Sequence, residues 1–103
     1  MILLYLYDEF GPGMGLPSMK DSFWPTAYPG QTEIVEYLKA GKVHMACPGF
    51  DYDKFTGDQI STEKTYMDDG VYVWPSSLPY YVERYNLRLS EEFERHVRER
   101  MSA

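Results

Sequence analysis

The chain is poor in the residues that bring chemistry with them. It has one cysteine, Cys47, and two histidines, His44 and His96, among 103 residues. A lone cysteine closes no internal disulfide, so the core must stand without a covalent staple, as suits a reducing cytoplasm. The apolar run "MILLYLY" at residues 1–7 is far too short to span a bilayer. It also lacks the basic flank and small-residue cleavage site of a secretory signal. Basic residues are scarce: ten Lys and Arg stand against sixteen Asp and Glu, a net charge of −6. A field of that sign repels phosphate, so neither nucleic acid nor a membrane surface is the expected ligand.

What is present suffices for one small domain over residues 1–103, with 44% hydrophobic and 17% aromatic residues, ten of them Tyr. The acid excess is concentrated. Residues 51–69 carry Asp51, Asp53, Asp58, Glu63, Asp68 and Asp69 against Lys54 and Lys64, while residues 70–103 balance five acids with five arginines. The acidic segment reads either as a solvated surface that keeps the chain soluble or as a docking face for a basic protein.

The motifs that would signal catalysis or a cofactor fail on spacing. "GPGMG" at residues 11–15 has glycines for a phosphate loop, but no Lys-Ser/Thr follows and no strand-loop-helix unit frames it. His44 and Cys47 lie an odd number of residues apart in a strand-like run, which sends them to opposite faces, and two further metal ligands are missing. Cys47 is better read as a small buried hydrophobe than as a nucleophile. "DYDKFTGDQIST" has Asp at the first and third positions of a calcium loop, but Phe55 stands at the fifth and Thr62 where a bidentate Glu is needed. The expectation is therefore a non-enzyme with no metal and no cofactor.

The elements can be read in order. "MILLYLY" reads as a buried strand, followed by a loop over residues 11–30 with four Gly and four Pro, held to the body by Phe23, Trp24 and Tyr28. "QTEIVEYLKAGK" is a helix with Thr32 as N-cap and Gly41 as its stop, and "KVHMAC" is a strand ending at Pro48-Gly49. Thr65-Tyr66-Met67 and Val71-Tyr72-Val73-Trp74 flank Asp68-Asp69-Gly70, a hairpin signal. Ser76 or Ser77 then opens a helix that tolerates Pro79 in its first turn and stops at Asn86. Ser90 begins a last helix with Leu89, Phe93, Val97 and Met101 on one stripe and Glu91–Arg95 and Glu94–Arg98 as i,i+4 pairs. The fold class expected is α+β: an antiparallel sheet of about three to five strands carrying about three helices.

The runs "YPGQTEIVEYLKAGKVHMACPG" and "DDGVYVWPSSLPYYVERYNLRLSEEFERHV" carry a resemblance. Tyr37-Leu38, Gly41, Pro48-Gly49, Asp69-Gly70, Trp74-Pro75, Leu78, Tyr80-Tyr81-Val82, Tyr85, Leu89 and Glu92-Phe93 resemble small bacterial immunity-like proteins. Those are encoded beside polymorphic toxins of the contact-dependent inhibition and Rhs type. The likeness spans roughly residues 28–97, a span set by the residue classes that recur. Pro79 and Ser90 depart from the pattern, which has a non-proline and a proline there. The resemblance implies a cytoplasmic inhibitor of a cognate toxin domain and no catalytic residues. Surface chemistry suggests Asp51, Asp53, Asp58, Asp68 and Asp69 as the contact with a basic toxin, with Tyr52 and Tyr80 as anchors. The alternative is a structural or regulatory interaction module without a toxin, as a homodimer for example.

Overall fold

A computed structural model describes residues 2–4 and 7–102. Among the described residues, four strands and three α-helices follow in the order β1 (Ile2–Leu3), α1 (Gln31–Lys39), β2 (Lys42–Tyr52), β3 (Gln59–Asp68), β4 (Tyr72–Pro75), α2 (Leu78–Tyr85) and α3 (Glu91–Met101). The class is α+β, as the residue patterns predict. The sheet runs β1-β4-β3-β2, with β2–β3 and β3–β4 antiparallel. It is not wholly antiparallel: β1 pairs parallel to β4, Ile2 beside Tyr72 and Leu3 beside Val73. A parallel neighbour needs a long crossover, and everything from α1 to β3 lies between these two strands. The expected strand over residues 1–7 is confirmed only at Ile2–Leu3; residues 1, 5 and 6 lie outside the described residues.

Burial is greatest inside the sheet and falls toward its edges, β1 and β2. Every residue of β4 is buried, whereas along β2 only Asp51 is. The core gathers Trp74 and Tyr72 from β4, Leu38, Ile34 and Val35 from α1, Leu78, Tyr81 and Val82 from α2, and Phe93 and Val97 from α3. Trp74 is fully enclosed, and its indole donates to the Leu38 carbonyl at 3.1 Å. Gly41 makes room for it. A Cβ at Gly41 would lie 2.6 Å from Trp74 Cζ2, so the glycine is fixed by the close approach of α1's exit to the indole.

Local chemistry explains most element ends. The turn Asp68-Asp69-Gly70 places Gly70 at φ 93°, Asn86 closes α2 at φ 55°, and Ser90 caps α3 by accepting from the Phe93 N–H at 3.2 Å. Thr32 is not the cap of α1. Gly30 precedes the first turn, and the Gln31 side chain ties the entry, accepting from the Tyr28 N–H and donating to the Val82 carbonyl. Strand β2 does not end at Pro48-Gly49 but runs through it with shifts of register. Proline lacks a ladder donor, a harmless defect on an edge strand.

The Gly/Pro-rich loop is ordered by its aromatics, as expected, with one short 3-10 turn at Met19–Ser22. Met19 and Tyr28 are buried, Tyr28 donates to the Leu87 carbonyl at 2.6 Å, and Phe23 bridges to Leu87. Arg88 lies over the rings of Tyr28 and Trp24, at 4.2 and 4.5 Å from their centroids. It also makes a two-pronged bond to Glu94 at 2.7 and 3.0 Å. The expected ladder of pairs on α3 is therefore not what forms. Glu94 is buried and turns to Arg88, because a desolvated carboxylate takes the planar guanidinium fork in preference to an exposed neighbour. Met101 also leaves the predicted stripe and is half exposed.

Candidate functional site

The acidic segment, expected to face a partner, is largely turned inward. Asp53 follows β2 in the turn to β3 and is 2% exposed. One of its oxygens accepts from Tyr80 at 2.7 Å and Tyr85 at 2.6 Å, the other from the Phe55 and Thr56 N–H groups at 2.7 and 3.1 Å. Burial pushes its pKa up, but these four donors outweigh burial and lower it to about 2. Asp69 repeats the arrangement in the β3–β4 turn. Its oxygens accept from Tyr37 at 2.5 Å, His96 at 2.7 Å, and the Val71 and Tyr72 N–H groups at 2.9 and 2.7 Å. Here too the donors overcome burial and hold the pKa at about 2.

Asp68 is buried, accepts from the Gly70 N–H and faces His44 Nδ1 at 3.2 Å. Asp51 is buried as well. Of the predicted contact residues, Asp58 and Tyr52 stand exposed, and Tyr80 is half-buried between Asp53 and Arg84. The structure thus gathers Asp53, Asp58 and Tyr80 around Arg84 at one end of the sheet, and holds Asp68 and Asp69 in the β3–β4 turn. The carboxylates that titrate lowest are bound by the chain's own donors and fasten turns to helices. Among the described residues, no three of His, Cys, Asp and Glu come together as a metal site. Cys47 is half-buried on β2 and not in the core.

Four of the exposed large apolar side chains lie together on β2. Val43 is 63% exposed, Met45 52%, Tyr52 51% and Phe50 49%. A strand with this composition at a sheet edge is a ready surface for association. Beside it, between the β2–β3 ribbon and the helices α1 and α2, lies a groove of about 520 Å³. Leu38, Val43, Ile60, Met67 and Pro79 supply its apolar lining, and Lys39, Glu63 and Glu83 its charges. Met67 stands opposite Trp74 on β4 and opposite Val43 on β2, which puts Val43 on the helix-bearing face. Lys39 and Glu83 approach each other to 3.9 Å, whereas Glu63 has no ion pair among the described residues.

Val43 and Met45 were missed because "KVHMAC" has the apolar look of a core strand, and Phe50 because that strand was expected to end at Pro48-Gly49. The signal that marks it as an edge was present in Lys42 and Pro48, residues that central strands avoid.

No helix among the described residues is long and apolar enough to cross a membrane. No family model matches the chain, and neither a curated protein nor a solved structure matches it.

Proposed function

We propose that this chain is an immunity protein, a binding module that holds and neutralises a basic toxin domain, with the β2–β3 ribbon as its contact surface. The observation that carries the reading is the exposed apolar edge strand: Val43, Met45, Phe50 and Tyr52 stay open while the central strand β4 is wholly packed. The net charge of −6 supports a basic partner, since complementary fields speed encounter. Asp53 and Asp69 support binding over catalysis, because both oxygens of each are spent on internal donors. In this reading Tyr52, Asp58 and Tyr80 remain contact residues, and Asp51, Asp53, Asp68 and Asp69 shape the surface from within. The resemblance over residues 28–97 names the partner as a toxin, and the single Cys47 fits action in a reducing cytoplasm.

Co-expression with the product of the neighbouring reading frame tests the proposal. The two products should co-purify and the chain should rescue growth, while Val43→Asp with Phe50→Asp should abolish rescue at unchanged melting temperature. Rescue by the double variant, or a neighbour that neither harms growth nor co-purifies, refutes it.

A further inference from the structure

The groove beside β2 has the form of an incomplete layer. Helices α1 and α2 pack with Trp74 and Met67, yet Val43 on the same face, one strand further out, stays open. Two-layer domains bury such a face under a helix or a second sheet. Strand addition along the edge of β2 is a poor fit. Pro48 has no N–H to offer, Gly49 sits at φ 95°, and the register shifts on either side of them. What remains is an element lying across the face.

The charges say what kind. Of the groove's three charged side chains, Lys39 is opposed by Glu83, which leaves Glu63 over. A second copy of the chain would bring a further net charge of −6 to a surface that already carries that sign. We propose that the groove receives a basic amphipathic helix of the partner, whose apolar side chains enter between Val43, Ile60 and Pro79 and whose Lys or Arg meets Glu63. This deepens the binding reading above and rests on it.

A phage-displayed library of random dodecapeptides, panned against the immobilised full chain, tests it without the partner. Enriched peptides should combine Leu, Ile or Phe at helical spacing with Lys or Arg. Their binding should be lost with Val43→Asp and weaken about five- to tenfold with Glu63→Lys, a reversal of one exposed charge contact. Both positions are exposed, so thermal melting should show the variants folded. Failure to enrich, enrichment of acidic peptides, or binding indifferent to Val43→Asp overturns the inference. If the co-expressed partner still binds in that event, the immunity reading survives and the groove is excluded as its site. If the peptides behave as expected but the neighbouring product does not bind, the groove stands and the toxin reading falls.

Discussion

Replacing Asp53 by Asn should destabilise the protein strongly at neutral pH and much less in acid. The carboxylate is enclosed, and its four donors come from two tyrosines and two backbone N–H groups. An amide of the same shape has one acceptor oxygen. If that oxygen keeps the Phe55 and Thr56 N–H groups, the amide NH₂ is turned toward two tyrosine hydroxyls that had been donating. Two charge-assisted bonds are lost, offset in part by rotation of the hydroxyls, for a cost of about 2–4 kcal/mol. The pKa gives a separate figure: lowering from 3.8 to about 2 corresponds to roughly 2 kcal/mol of stability held by the ionised form. Because the folded value lies below the unfolded one, that stability is fully present above pH 4 and is lost as pH falls toward 2. Asp69 is lowered in the same direction, so the parent also weakens in this window. The difference between parent and variant isolates Asp53. Urea unfolding followed by fluorescence at pH 7, 4 and 3 measures it. The gap should be widest at pH 7 and should narrow below pH 4. A gap under about 0.5 kcal/mol at pH 7, the range of ordinary surface changes, or one equal at every pH, refutes the reasoning.

Trp74→Ala should cost about 3–5 kcal/mol, as large-to-small aromatic changes in cores do, and urea unfolding should detect it as a sharp loss of midpoint. Arg88→Ala strands the buried Glu94 and frees Tyr28 and Trp24 from their shared cation, at a cost of roughly 3 kcal/mol; limited proteolysis should then cut between residues 11 and 27 faster than in the parent.

The parts of the fold that were legible in the sequence are those set by one residue's local conformation or by size. Gly70 and Asn86 supply positive φ where the chain turns, Ser90 caps, and Trp74 is too large to be left outside a small core. The parallel pairing of β1 with β4 was not legible, because two residues of extended chain give no preference for a distant partner. The acidic segment misled for a physical reason. A carboxylate is costly to bury only when its donors are missing, and the donors of Asp53, Tyr80 and Tyr85, lie 27 and 32 residues away. Glu94 is buried on the same terms, but its partner Arg88 lies only six residues away, in the α2–α3 connection outside the helix that its i,i+4 spacing points to.

The stitching of the Gly/Pro loop to the α2–α3 connection also constrains the order in which the molecule can form on the ribosome. Phe23 pairs with Leu87, the Trp24 N–H reaches the Asn86 carbonyl, and Tyr28 reaches Leu87. About sixty residues separate the two partners, and at ordinary synthesis rates they emerge roughly three to twelve seconds apart. Throughout that interval Phe23, Trp24 and Tyr28 lack their partners at residues 85–88, although Phe55 emerges earlier to meet Phe23. The loop is therefore made early but cannot settle until the α2–α3 connection exists, and a nascent chain halted before Leu87 would leave Phe23, Trp24 and Tyr28 without those contacts, open to whatever chaperone or aggregate it meets.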